Sequence, residues 1–395
     1  VFIIAVLWTA FFVVNLNIAM MIPLLPFIQR DVGLSGAQAG WVLAAFPIAS
    51  LIGNLSLGPL IDRFGRKRFI VVGASACTVI FLATAAARGA GGIIAGRAAT
   101  GLFIPMVGAS VFAAMADYIP AVDRPRVAGI VTAAAPIAFL CAMSMGVLLG
   151  GLVAWQVPLL LLALVTLLLA AGAAALPATR PEGLSAAPIT VRSYRERLLS
   201  LSLDPGTRLL LLSYFCWAAA VFVFMGLYPS WVVQHGLAEH GVRAIGAMLF
   251  LGEVGGLFGA LLSARLARQF GHPLTCCALA AFSAAVMVAT IPYGVDALAF
   301  QAAAYGVFAF VRDLMLALLL GGAMLLVPAA KRGSLNAVLN AIYQTGATLG
   351  GLASAWLYAM RPDFTADAML AGLLFASAGA MLWTIPRLRT ATPLA

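Results

Sequence analysis

The sequence predicts an all-α polytopic membrane protein, with twelve transmembrane helices in two pseudo-symmetric six-helix bundles. Three observations predict it. The 395 residues are 64% hydrophobic and only 9% charged, whereas a chain facing water carries roughly a quarter charged residues. Apolar runs of about 20 residues recur along the whole length, which is the length of helix that crosses about 30 Å of hydrocarbon. They are too uniformly apolar for barrel strands, whose residues alternate. One long polar segment, 177–207, separates six of these runs from the next six.

Breaks at glycine, proline and charge clusters place the spans near 1–24, 37–60, 69–87, 90–116, 127–153, 156–176, 208–234, 242–266, 273–293, 297–327, 334–359 and 367–386. The organisation follows as a first bundle over 1–176, a cytoplasmic central loop over 177–207 and a second bundle over 208–395. The chain opens on Val1 and carries no charge before Arg30. It is therefore read as starting inside its first span with a tail removed. A cleaved signal peptide would need a basic leading region.

The placement of positive charge sets the orientation. Of 23 Lys and Arg, 17 lie in the loops after the even-numbered spans and at the C-terminus. Arg30, Arg88, Arg243 and Arg361 lie on the other side, and Arg97 and Arg312 fall inside spans. Positive loops stay in the cytoplasm, so both termini are expected there. The excess of arginine over lysine and the abundance of Ala, Leu and Gly hint at a GC-rich bacterial genome, and the expected location is a bacterial inner membrane. The net charge of +10 is thus a topology signal, with anionic lipid as its counter-charge, and no nucleic-acid partner is expected. The five cysteines all lie in apolar runs and read as small core residues, with neither a disulfide framework nor a metal site. The sequence has no H-E-x-x-H, G-x-S-x-G or P-loop. The expectation is a protein that is not an enzyme, uses no cofactor and draws on an ion gradient or on its substrate's own gradient.

An internal repeat supports the two-bundle reading. Residues 50–67, SLIGNLSLGPLIDRFGRK, align with 256–273, GLFGALLSARLARQFGHP, at an offset of 206. Leu51, Gly53, Leu55, Leu60, Phe64 and Gly65 match Leu257, Gly259, Leu261, Leu266, Phe270 and Gly271. Both stretches end the second span of their half. Duplicated halves suggest a transporter that alternates access to a site near the midplane.

The charge-dense GPLIDRFGRK at 58–67 resembles the G-x-x-x-D-R-x-G-R-K signature of the major facilitator superfamily, between spans 2 and 3. The resemblance extends over the chain through span count, central loop and repeat. Gly58 permits close helix approach and Gly65 a sharp turn. Asp62 suits a helix N-terminus, with span 11, starting near Gly333 and Ser334, as the candidate. The resemblance implies a conformational latch in which this Asp helps hold the cytoplasmic side closed, while Arg63 or Arg66 pairs with an acid at the end of span 4, here Asp117. A plain positive-inside anchor is the alternative. The second copy carries Arg268 in place of Asp62 and His272 in place of Arg66.

In span 4, IIAGRAATGLF resembles the R-x-x-x-G pattern of proton-linked members through Arg97 and Gly101, with Thr100 where a Gln is common. Arg97 is expected about 12 Å into the membrane at 1.5 Å per residue, facing a cavity or a partner, or capping carbonyls. In span 5, Gly146, Gly150 and Gly151 resemble the glycine-rich antiporter motif, with Ala142 and Val147 departing from it.

The resemblance implies that spans 1, 4, 7 and 10 line a cavity. Asn17 stands where many drug–proton antiporters carry an Asp; it could bond substrate or another helix. Glu253 and Asp313 are the two acids read as lying within spans. A carboxyl that moves between an apolar setting and an arginine can load and release a proton, which makes Glu253 and Asp313, with Arg97 and Arg312, the proton-coupling candidates. A static ion pair of Glu253 with Arg312 is the alternative. Asn336, Asn340, Gln344 and Thr348 recur every four residues along one helix face. Trp217, Tyr228, Trp231 and Tyr305 could stack on an organic substrate, although Tyr228 and Trp231 also suit an interfacial belt. The substrate-binding candidates are therefore Asn17, Trp217, Tyr228, Tyr305, Asn340 and Gln344.

The expected function is proton-coupled export of a small lipophilic compound by a monomer. Its partners are that substrate, protons and the lipid bilayer. Import or uniport of a metabolite, and a non-transporting sensor or scaffold, are the alternatives.

Overall fold

The structure is a computed structural model that describes residues 1–64, 66–120, 122–177, 204–294, 297–326 and 332–391. The described residues are helical apart from their short connections. They divide into two compact units, Val1–Pro188 and Ile189–Ala395. The division falls inside the segment read as the central loop, most of which lies outside the described residues.

Unit 1 comprises α1 (Phe2–Val32), α2 (Gly36–Phe64), α3 (Arg66–Ala85), α4 (Ala90–Tyr118), α5 (Arg124–Thr132), α6 (Ala134–Leu152) and α7 (Gln156–Ala174). α2 and α3 pack along α4, α1 along α6, and α3 along α7. The first span outruns its sequence reading: α1 passes through Pro23 and Pro26 and ends at Gly33, whose φ of 72° lets its N–H cap the Gln29 carbonyl. Prolines are tolerated in a membrane helix where neighbours satisfy the freed carbonyls. The fifth span keeps a helical backbone through Ala133, with φ −61° and ψ −16°, but its hydrogen-bond ladder lapses there. Pro136 offers no N–H to the Thr132 carbonyl, and α5 gives way to α6 at Ala133. Thr132 turns its hydroxyl back to the Ala128 and Gly129 carbonyls.

Unit 2 comprises α8 (Pro205–Gln269), α9 (Pro273–Thr290) with a short 3₁₀ turn at Ile291–Gly294, α10 (Leu298–Leu326), α11 (Arg332–Met360) and α12 (Thr365–Ala391). α8 is two spans joined at Gly241, whose φ of 74° and ψ of 162° leave the helix. Asp204 starts it by accepting from the Thr207 N–H at 2.7 Å. Its arms pack along α10, α11 and α12, and α9 packs along α12 and α10.

Among the described residues, eleven helical segments are long and apolar enough to cross a membrane, with α8 supplying two of them. α11, at 29 residues, is long enough too. Its polar Asn340, Gln344, Thr345 and Thr348 lower its apolarity. The acid count needs correction. α12 starts at Thr365, where the backbone N–H bonds to Asp363 Oδ1 at 3.0 Å. Asp367 therefore lies within the helix, is fully buried and accepts from Ser354 Oγ at 2.7 Å. It is a third acid within the spans.

The repeated glycines have the same use in each unit. A Cβ on Gly53 would press on the carbonyls of Gly101 and Leu102 in α4, and one on Gly259 would press on the Phe310 carbonyl in α10. Gly101 closes on Phe46 and Ala49 in the same way, and Gly255 on the Gly306 carbonyl. Each unit thus brings its second span against its fourth through small residues, which is how helices gain van der Waals contact where lipid offers no hydrophobic drive. Gly255→Val is expected to cost about 1–3 kcal/mol by overpacking and to lower the thermal midpoint in detergent. Gly321→Val, where a Cβ meets nothing within 4 Å, should leave it unchanged. Equal midpoints would count against the close crossing.

Candidate functional site

Two groups of buried polar side chains stand out, one in each unit. In unit 2, the sequence GEVGG places Gly252, Gly255 and Gly256 around Glu253. A Cβ at Gly252 would strike the Tyr305 ring, and one at Gly256 would meet the Asp313 carboxylate and the Arg312 guanidinium. These glycines let the second arm of α8 lie against α10, and Glu253 then reaches Arg312.

The resulting contacts are dense. Arg312 Nη1 donates to Glu253 Oε1 at 3.0 Å and Nη2 to Oε2 at 2.7 Å. The same guanidinium donates from Nε to Asp313 Oδ1 and from Nη2 to Oδ2, both at 2.9 Å. Tyr305 donates its hydroxyl to Glu253 Oε1 at 2.5 Å. Met225 Sδ lies 3.3 Å from Arg312 Nη1. Glu253 and Arg312 are 1% and 3% exposed. The planar fork of arginine suits two carboxylates at once. With every group ionised the cluster carries one net negative charge, and one added proton brings it to neutrality.

The sequence offered a Glu253–Arg312 pair, and adjacent helical positions such as 312 and 313 diverge by about 100°. The structure pairs them. The arginine stem is long enough to fold back, and Gly256 leaves the space.

An aromatic core adjoins the cluster. Tyr228 stacks on Tyr305 at 5.2 Å, and Trp231 stacks on Phe364 at 5.3 Å. Tyr228 donates its hydroxyl to Gln301 Oε1 at 3.0 Å. Tyr228 and Trp231 are 0% and 2% exposed, which corrects the interfacial-belt reading: both rings belong to the interior of unit 2. Phe364 reaches this core with a φ of 61°, a conformation unusual for a bulky residue. Nothing in the sequence singled out Phe364 or Gln301. Trp217 is buried, stacks on Tyr214 at 5.4 Å and leaves its Nε1–H without a partner. On α11, Gln344 is buried while Asn340 is exposed, so the predicted polar stripe is not uniform in setting.

In unit 1, Arg97 is buried and meets Asn17. Its Nη1 lies 3.3 Å from Asn17 Oδ1 and 3.5 Å from the Asn17 carbonyl, and its Nε lies 3.4 Å from the Val42 carbonyl. The guanidinium stands 4.7 Å from the Phe46 ring centre. Thr100, in place of the family's Gln, turns its hydroxyl to the Gly96 carbonyl at 2.7 Å. Gly146 and Gly150 of the span 5 motif sit against Pro23, Leu24 and Phe27 of α1.

At the charge-dense segment, Arg66 donates from Nη1 to both carboxylate oxygens of Asp117, at 3.1 and 3.0 Å. This joins the start of α3 to the end of α4. Lys67 Nζ donates to the Leu176 carbonyl at 2.5 Å. Gly65 lies outside the described residues, as do the side chains of Asp62, Arg63, Ser334 and Asn336 and the surroundings of Gly58 and Gly333. Among the described residues, no group of three or more His, Cys, Asp or Glu is placed to hold a metal ion.

Comparison with known proteins agrees with this architecture. The profile of the Major Facilitator Superfamily matches residues 7–351. The chain is 26% identical over 387 residues to the uncharacterized MFS-type transporter YceJ of Bacillus subtilis (strain 168), covering 96% of this chain and 95% of that one. It is 30% identical over 141 residues to Multidrug resistance protein 1 of the same organism, 36% of each chain. The crystal structure of the nucleoside transporter NupG (D323A mutant) superposes with a TM-score of 0.77 at 12% identity, over 98% of this chain and 100% of that one; at that identity the likeness shows the fold alone. Span pattern, two-unit architecture and a profile match over most of the length lead to one conclusion: this chain is a multi-pass membrane protein that belongs to the major facilitator superfamily of transporters.

Proposed function

We propose that the protein is a proton-coupled exporter of a small, largely apolar organic compound in a bacterial inner membrane, with both termini in the cytoplasm. The observation that carries this reading is one buried guanidinium shared by two carboxylates. A buried cluster with one excess negative charge is costly in a membrane, and one proton neutralises it. Glu253 receives three hydrogen bonds and has a side chain 0% exposed, whereas Asp313 receives two from Arg312 and its side chain is 14% exposed. Asp313 is thus the group to take the proton, and Glu253 the anchor that holds Arg312. The partial similarity to a multidrug resistance protein supports export. In this reading the segment with Gly58, Asp62, Arg63, Gly65, Arg66 and Asp117 acts as the conformational latch.

Everted vesicles test it. Addition of a transported compound from a panel of lipophilic cations, neutral molecules and acids should discharge an imposed proton gradient, and a protonophore should abolish its accumulation. Accumulation that persists with the protonophore would contradict proton coupling.

A further inference from the structure

We infer that Asp367 is a second proton-binding site of unit 2: held as a neutral acid, with the proton on Oδ2, it clasps the start of α12 to α11 through Ser354. The proposed function makes no use of this acid, and the inference does not rest on that reading.

Asp367 and Ser354 are both 0% exposed, and Ser354 donates its hydroxyl to Asp367 Oδ1 at 2.7 Å. Oδ2 is equally buried and has no hydrogen-bond partner among the described residues. This contrasts with the Arg312 cluster, where every carboxylate oxygen meets a donor. Phe364, three residues earlier, anchors the same turn. Its ring stacks on Trp231, and its carbonyl accepts the Ala368 N–H at 3.1 Å.

Among the described residues, no cation pairs with Asp367. The basic side chains at this end of unit 2 are His235, His240 and Arg243 on α8 and Arg361 before α12, and all four are exposed. Arg361 turns to Asp363 at 3.9 Å. α9, which packs along α12, carries no acidic or basic residue. From α11, Tyr358 gives its hydroxyl to Gln234 Oε1 at 2.6 Å. The charge that bears on Asp367 is the like charge of Asp363. The start of a helix favours an anion modestly, but Asp363 already takes the Thr365 N–H there. An unpaired carboxylate out of water costs more than that preference returns, and such a group keeps its proton instead. The neutral acid retains the Ser354 bond, because its carbonyl oxygen still accepts. A proton also needs no cavity. Ionised, the acid must draw water to Oδ2, and the clasp opens.

Thermal unfolding of the purified full chain in nanodiscs, wild type against Asp367→Asn from pH 5 to pH 8, tests the site. The fold holds a proton that the unfolded chain gives up. Wild type should therefore lose stability relative to the variant as the pH rises, by up to about tenfold in the folding constant per pH unit, until the folded carboxyl ionises. A gap that is flat over this range, or that closes as the pH rises, overturns the inference. Infrared difference spectra at pH 6 give a second readout. The C=O stretch of a protonated carboxyl is expected in wild type and should be missing from Asp367→Asn. If that variant fails to fold, Ser354→Ala decides: it keeps the acid, and loss of the donor to Oδ1 should move that stretch to higher frequency. No difference in the protonated-carboxyl region between Ser354→Ala and wild type overturns the site. Asp313 is the same in all three proteins and no transport is measured, so failure here and failure of proton coupling remain distinct results.

Discussion

Arg312→Met is expected to abolish transport and to destabilise the protein by about 3–5 kcal/mol at neutral pH, the usual range when one partner of a buried ion pair is removed. The substitution leaves Glu253 and Asp313 facing each other without their shared cation. The Tyr305 hydroxyl holds Glu253 in place, with its side chain 0% exposed, so that acid does not swing away to water. The loss should shrink as the pH falls, because protons then neutralise the two acids. Thermal unfolding in detergent at pH 7.5 and pH 5 measures this as a smaller gap between variant and wild type in acid. Arg312→Lys should recover part of the stability but little transport, since a point charge cannot present two forks. A gap that is constant with pH would mean that the two carboxylates are not the source of the loss.

The second large effect separates the two acids. Glu253→Gln removes the acceptor of three hydrogen bonds and breaks the two-pronged grip on Arg312. Transport in every mode should fall by at least about tenfold, the loss of one strong charge-assisted contact. Asp313→Asn leaves the Glu253–Arg312 pair in place, removes the cluster's excess charge and keeps at most one of the two bonds that Asp313 accepts from Arg312. It should keep substrate exchange near the wild-type rate and lose the response to a pH gradient. The reverse pattern, with Glu253→Gln keeping exchange and losing only coupling, would exchange their roles.

Much of this was legible in the sequence for a physical reason. Hydrocarbon demands long apolar helices, and loops must carry their arginines on one side, so span number and the GPLIDRFGRK segment could be read directly. The glycines in GEVGG were visible too, but what they bring together was not. A one-dimensional pattern shows that Glu253 and Arg312 are both buried, not that α8 and α10 cross where they meet. The same limit hid Phe364, which lies in a short connection, and Asp367, which sits in the first turn of a helix whose start the sequence blurs. Tyr228 and Trp231 lie near a span end, where belt residues are common; only packing against Phe364 and Tyr305 takes them inside. Proline misled. Pro23 and Pro26 did not end α1, and Pro136 only interrupts the hydrogen-bond ladder of the fifth span at Ala133, where the backbone stays helical.

The central claim is that the carboxylate of Asp313 carries the coupling proton. Reconstituted protein with a transported compound tests it most directly, by measuring exchange at equal pH and uphill movement under a pH gradient for wild type and Asp313→Asn. The account predicts wild-type exchange and no gradient-driven movement in the variant. Gradient-driven movement at the wild-type level in Asp313→Asn would contradict it.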